Sequence, residues 1–191
     1  MIHSARFNVI LDANVIYPAP LRDFLLRLAE QGLYKPKWSA QIQNEWIRNL
    51  LKNRPDLQRE SLIRTQKAMN LAFPDANVSG YDDLIGALSL PDPADRHILA
   101  AAIRGNVEVI VTYNLKHFPL SALGLYDIEA QHPDEFIINL ISLDEEKALT
   151  ALDKQVKSLK SPPQTILQVL DTLESSRLLK SVALLRTLLQ Q

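Results

Sequence analysis

The chain has no cysteine among its 191 residues. That excludes a disulfide framework and a thiolate metal site, and it fits a reducing compartment. It has five glycines, none gathered into a loop of the kind that cradles phosphates. No apolar run approaches the length of a membrane span. The only apolar stretch near the N-terminus is interrupted by Asp12, unlike the core of a signal peptide. The expectation is a soluble cytoplasmic chain with no membrane partner. Positive charge is not in excess either: 21 Lys and Arg face 22 Asp and Glu, for a formal net charge of −1. A polyanionic partner would have to be held by a local patch, because the chain as a whole does not attract one.

Apolar residues make up 47% of the chain, enough for a full core in one domain with a small appendage. Residues 7–11 read as a first strand. A loop over 14–20 leads to a helix over about 21–31, with Phe24, Leu25 and Leu28 on one face and Gly32 as its C-cap. The next helix starts near Ser39 and carries Glu45. A third covers about 55–71, and a short strand near 76–78 precedes a turn at Gly80. The sequence Leu90-Pro91-Asp92-Pro93 breaks the chain before an Ala-rich helix. A strand over 107–112, an edge strand over 127–130 and a helix from Pro133 complete the pattern. Strands alternating with helices predict an α/β fold around a parallel sheet.

From Leu143 onward there is no strand candidate. Ser142 and Glu145 have capping-box spacing, and Leu149, Leu152, Val156 and Leu159 mark a helical stripe. Ser161-Pro162-Pro163 breaks it, and Leu-rich helical spacing resumes from Thr165 to Leu189. The division read from the sequence is residues 1–141 as the main domain and 142–191 as a C-terminal helical extension. The two apolar stripes of the extension need a cover, supplied by the body, a second copy or a protein partner.

Acidic residues stand at the ends of these elements. Asp12 ends the first strand, Glu45 lies in its helix, and Asp92 and Asp95 open the Ala-rich helix. Asn114 follows the strand over 107–112. The C-terminal ends of parallel strands form a crevice at the sheet edge. Oxygen ligands gathered there suit a hard cation such as Mg²⁺ or Mn²⁺, and metal-assisted phosphoryl chemistry.

Each position also has a bland reading. Asp12 and Asn14 can be turn residues, although Asn14 can equally orient Asp12. Asp92-Pro93-Ala94-Asp95 is a sound helix start by capping and dipole alone. Glu45 can be a solvated helix face, and Asn114 an ordinary turn residue. His97 and His117 read as structural or surface residues, and Arg96 as exposed by default or in reach of a phosphate. Between Arg48 and Lys67, six basic residues (Arg48, Lys52, Arg54, Arg59, Arg64, Lys67) face two acids (Asp56, Glu60). This segment is either a phosphate-tracking face beside Glu45 or a solvated helical surface.

The segments Val9-Ile10-Leu11-Asp12-Ala13-Asn14-Val15-Ile16-Tyr17-Pro18, Glu45 in its helix, Leu90 to Ala102, Val111-Thr112-Tyr113-Asn114-Leu115-Lys116-His117-Phe118-Pro119 and His132 to Phe136 stand in a fairly specific order and spacing. Over about residues 6–140 the chain resembles the PIN-domain family of metal-dependent ribonucleases. The resemblance implies a three-layer α/β/α fold and an acidic quartet that binds Mg²⁺ or Mn²⁺ to cleave RNA. Asp12, Glu45 and Asp95 match the first three family acids. The fourth, commonly Asp, is Asn114 here. Asp92 resembles an extra acid found in a subgroup and restores the charge, which makes the implied site Asp12, Glu45, Asp92 and Asp95 with Asn114 assisting and Thr112 in support. Many bacterial members are toxins of virulence-associated (VapC-like) toxin–antitoxin pairs. That subtype implies RNA as substrate, a cognate antitoxin as partner and a homodimer as a further assembly.

Two rival readings remain. A haloacid-dehalogenase-like phosphatase also begins with Asp after a first strand, but it wants Asp and then Thr where this chain has Asn14 and Ile16. A catalytically silent module that keeps the fold and binds through its basic face or tail is favoured by Asn114 and by the near-neutral charge.

Overall fold

The computed structural model describes residues 7–190. The outermost residues of the division read from the sequence, 1–6 and 191, lie outside the described residues. In chain order the elements are β1 (Asn8–Leu11), α1 (Ala13–Ile16), α2 (Ala19–Glu30), β2 (Lys35–Ser39), α3 (Ala40–Asn53), α4 (Arg59–Ala72), β3 (Asn77–Val78), α5 (Asp82–Ile85), α6 (Arg96–Arg104), β4 (Val109–Val111), α7 (Leu120–Leu123), β5 (Glu129–Gln131), α8 (Pro133–Leu143), α9 (Glu145–Ser158), α10 (Ile166–Ser175) and α11 (Leu179–Leu188). Single 3₁₀ turns precede α6 at Pro93–Asp95 and follow β4 at Leu115–His117. The chain forms two compact units. Among the described residues, one comprises 7–17 and 35–131, the other 18–34 and 132–190.

The first unit is built on a five-stranded sheet of order β3-β2-β1-β4-β5, every pairing parallel. This is the α/β class with a central parallel sheet that the strand–helix alternation predicts. Val9, Ile10 and Leu11 on β1 and Ile110 and Val111 on β4 are essentially inaccessible, as expected of central strands covered on both faces. Helix α6 packs on β1 and β2, and α3 packs on β2. Residues 97–102 of α6 are all buried, and the three consecutive alanines allow close approach.

The sequence reading misses β2. Its run Lys-Pro-Lys-Trp-Ser has a proline inside and charges beside it, both poor strand signals. The ladder shows why Pro36 is tolerated. Lys35 N–H donates to Phe7 O on the β1 side at 2.9 Å, and Trp38 N–H donates to Ala76 O on the β3 side at 3.0 Å. Alternation turns the nitrogen of Pro36 toward the β3 side, before β3 begins opposite Trp38, so no ladder bond is lost. The loop expected over 14–20 also contains the one-turn helix α1.

The second unit is helical among its described residues. Helix α2 packs against α9 and α10, α8 against α9 and α11, and α10 against α11. Helix α2 ends where Gly32 takes φ +76°, the left-handed turn that glycine adopts without strain. Tyr34 meets Phe136 edge to face, centroids 5.1 Å apart. Asp134, near the start of α8, is buried. Its carboxylate accepts from the Ser181 N–H (2.8 Å), the Ser181 hydroxyl (2.6 Å) and the Lys180 N–H (3.0 Å). It therefore serves as the cap that α11 lacks in its own sequence.

Two expectations for the tail are corrected. The cap of α9 is Asp144, which accepts from Lys147 N–H at 3.0 Å, because α8 runs through Ser142 to Leu143. The buried stripe of α9 is Ala148, Ala151, Leu152 and Gln155, while Leu149, Val156 and Leu159 are only half-buried. The small alanines face the neighbouring helices, and Gln155 Nε2 donates to Pro20 O at 2.9 Å.

Candidate active site

Strands β1 and β4 pair with Leu11 opposite Val111, so the residues that follow, Asp12 and Thr112, leave the sheet side by side. The Asp12 N–H donates to Val111 O at 3.1 Å and holds the pair in step. Strand order reverses between β1 and β4, and in an open parallel sheet a crevice opens at the carboxyl ends of the strands at that point.

Asp12 is buried, with 5% of its surface exposed. Its Oδ2 accepts from the Thr112 hydroxyl at 2.6 Å and from Asn14 Nδ2 at 2.6 Å. Its Oδ1 has only a long contact with the Asn14 N–H, 3.4 Å. Burial pushes its pKa up to about 6. Asp95 and Glu45 add to the rise by repulsion, against the bonds from Thr112 and Asn14. Asn14 is in turn held by the Tyr113 N–H, which donates to its Oδ1 at 3.2 Å.

Ser39 ends β2 and caps α3, accepting from Ile42 N–H at 3.2 Å. This cap sets the phase of α3, and Glu45 follows in its second turn. Glu45 Oε1 lies 3.1 Å from His97 Nε2 on α6 and accepts from Gln41 Nε2 at 3.3 Å. Burial alone would raise its pKa. The hydrogen bonds from His97 and Gln41, with the charge of Arg48, outweigh that and hold it below the ordinary value.

The third group lies at the start of α6. Asp92 Oδ1 caps the 3₁₀ turn by accepting from Ala94 N–H at 2.9 Å. Asp95 Oδ2 lies 2.7 Å from His117 Nδ1, and Asp92 Oδ2 lies 3.8 Å from the same nitrogen. Ligand atoms of Asp92, Asp95 and His117 all fall within 4.8 Å of one another. Asn114 is exposed, and its N–H donates to Thr112 Oγ1 at 3.0 Å. Its side chain makes no hydrogen bond with the acids among the described residues.

A common pattern emerges. Asp12, Glu45 and Asp95 each have one oxygen engaged by a neutral or basic partner at 3.1 Å or less. The second oxygen of Asp12 takes only the long Asn14 N–H bond, and those of Glu45 and Asp95 make no hydrogen bond among the described residues. Asp95 and Glu45 both act electrostatically on the buried Asp12, and carboxylate oxygens gathered in this way have the chemistry of a site for a hard divalent cation. The six basic residues of the 48–67 segment are all exposed on α3, α4 and the loop between them, and Arg54 is drawn to Asp56 by two bonds of 2.8 and 2.7 Å.

Asp12 thus lies at the strand ends with Thr112 and Asn14 bonded to it, Asp95 and Glu45 act on it electrostatically, and Asp92 lies beside Asp95 and His117. Sequence reasoning read His97 and His117 as structural or surface residues and did not link them to the acids. The only signal for them was their spacing, two residues after Asp95 and three after Asn114.

A PIN domain model matches residues 8–116, more than half of the chain. The chain belongs to the PIN-domain family. A second model, the VapC50 C-terminal domain, matches residues 133–187. The Mycobacterium tuberculosis protein named "Putative ribonuclease VapC50" is 47% identical over 94 residues, which cover 49% of this chain and 55% of that protein. The match therefore spans about half the length of this curated relative. No solved structure matches.

Proposed function

We propose that the chain is a divalent-metal-dependent endoribonuclease, the toxin of a toxin–antitoxin pair. The observation that carries this reading is the buried Asp12 at the strand-order reversal, its pKa lifted to about 6 by burial and by Asp95 and Glu45. A protein keeps such a cluster of charge where a cation completes it. The relative named a ribonuclease supports RNA as the substrate, and the VapC50 matches support an antitoxin as partner. A second copy of the chain remains the other expected partner. Residues 1–141 form the nuclease domain in this reading and 142–191 its helical extension.

Asp12, Glu45, Asp92 and Asp95 would hold Mg²⁺ or Mn²⁺, with Asn114 assisting from the adjoining loop. A cation bound there supplies charge neutralisation at the phosphate and a more acidic water. Thr112 and Asn14 fix Asp12 through its Oδ2. The exposed bases of α3 and α4 draw the RNA backbone to the helix that carries Glu45. Hydrolysis forms a bond from a water oxygen to phosphorus and breaks the bond to the 3′ oxygen, which leaves with a proton. The products carry 5′-phosphate and 3′-hydroxyl ends.

The test incubates the chain with single-stranded RNA in Mg²⁺, Mn²⁺ or chelator and identifies the product ends. Cleavage should require the cation. A 2′,3′-cyclic phosphate, or full activity in chelator, overturns metal-assisted hydrolysis. Tight metal binding with no cleavage of any RNA would favour the silent binding module, the reading that the neutral, exposed Asn114 supports.

A further inference from the structure

We propose that His97 is a positioning residue whose Nε2–H fixes Glu45, and that the site loses its grip on the cation when this bond is removed. The inference rests on the proposed metal site. The ring of His97 is buried, 3% exposed, in the first turn of α6. Its Nε2 lies 3.1 Å from Glu45 Oε1, while its Nδ1 is buried with no hydrogen-bond partner among the described residues. A buried imidazole costs free energy unless its polar atoms are satisfied. A histidine kept for the fold alone is commonly tied at both nitrogens, whereas this one spends its single polar bond on Glu45. The bare Nδ1 also assigns the tautomer. A proton there would be unsatisfied, so the ring donates from Nε2.

The bond matters because Glu45 has somewhere else to go. It sits on α3 at 21% side-chain exposure, three residues before the exposed Arg48, whose charge already acts on it. Residues three apart on a helix are neighbours. A flexible Glu free of His97 would swing along α3 toward that guanidinium. With Oε1 held by His97 and Gln41, the carboxylate stays where its charge acts on Asp12. Because Asp95 and His97 are two residues apart at the head of α6, one helix start places one acid directly and a second through its imidazole. Partners of this kind, which orient a ligand without touching the metal, commonly change metal affinity about 10- to 100-fold when removed.

The experiment compares wild type, His97→Leu and His97→Gln. It measures Mn²⁺ affinity by calorimetry, the metal-free melting temperature, and the imidazole ¹⁵N–¹H spectrum of the wild type. Mn²⁺ binding should weaken about 10- to 100-fold in His97→Leu, with the metal-free melting temperature held or raised, because a half-satisfied polar group leaves the core. His97→Gln, whose amide can donate from nearly the same place, should recover most of the affinity. In a Glu45→Ala background, His97→Leu should cost nothing further. A folded His97→Leu with wild-type Mn²⁺ affinity overturns the proposal, and so does a Gln variant as weak as the Leu variant. The spectrum needs neither metal nor a folded variant: a proton on Nδ1 with a bare Nε2 also overturns it. Wild-type protein that binds Mn²⁺ but leaves RNA intact would sink the nuclease reading and leave this test standing.

Discussion

The hydroxyl of Thr112 donates to Asp12 Oδ2 at 2.6 Å, across two strands that are a hundred residues apart in sequence. It is the chief hydrogen bond holding down the pKa of a carboxyl that burial drives up to about 6. Thr112→Val should therefore raise that pKa further, and the midpoint of Mn²⁺ binding against pH should move upward. Thr112→Ser should leave it near the wild-type position. A Val variant with an unchanged midpoint would show that the hydroxyl does not govern Asp12.

Asp12 also sets a pH dependence of stability. Its folded pKa, about 6, lies above the ordinary 3.8, so the folded state binds the extra proton between those values. In the metal-free protein its contribution is fully present below about pH 4 and is lost as pH rises through 6. A shift of this size corresponds to up to about 3 kcal/mol at pH 8. Asp12→Asn should raise the metal-free melting temperature at pH 8 and have little effect at pH 4, while abolishing cleavage. Equal effects at both pH values would count against a buried, ionised Asp12.

Asp92 has two tasks that one substitution separates. Its Oδ1 caps the 3₁₀ turn, and its Oδ2 faces His117 beside Asp95. Asp92→Asn keeps an acceptor for the cap and removes the charge. Stability should hold, and Mn²⁺ affinity should fall roughly tenfold or more. Asp92→Ala should in addition lose about 0.5–2 kcal/mol of stability. If Asp92→Asn binds Mn²⁺ normally, Asp92 is a cap and nothing else.

Asp134→Ala should destabilise the chain by about 2–4 kcal/mol, since three donors at the start of α11 lose a buried acceptor. Burial acts to raise the Asp134 pKa, but the hydrogen bonds from Ser181 and Lys180 win and hold it below the ordinary value. Its contribution is therefore present above about pH 4 and fades as pH falls below that. The gap in melting temperature between wild type and variant should narrow toward pH 3, which a pair of thermal melts would reveal.

The parallel sheet was legible because β1, β4 and the helices between them follow strong periods, and Asp12 was legible because a carboxylate after a buried strand has few innocent uses. Strand β2 was hidden by Pro36, whose tolerance depends on where β3 starts. Ser142 was mistaken for the cap of α9 because α8 and α9 nearly abut, leaving Asp144 to serve as the last residue of one and the first of the other. His97 and His117 were illegible for a different reason. Their meaning lies in what they touch, Glu45 from 52 positions upstream and Asp95 from 22, and no local pattern records such a meeting.

The helical unit joins residues 18–34 to residues 132–190. A chain made from its N-terminus completes α2 early, yet α9 and α10, on which α2 packs, emerge only after the whole sheet has been synthesised. For that interval α2 lacks α9 and α10, and its buried Phe24, Leu25 and Leu28 wait for that cover. The strands and acids of the first unit are all in hand by Gln131. On the ribosome, then, the sheet-bearing unit can assemble before the helical unit has its last pieces.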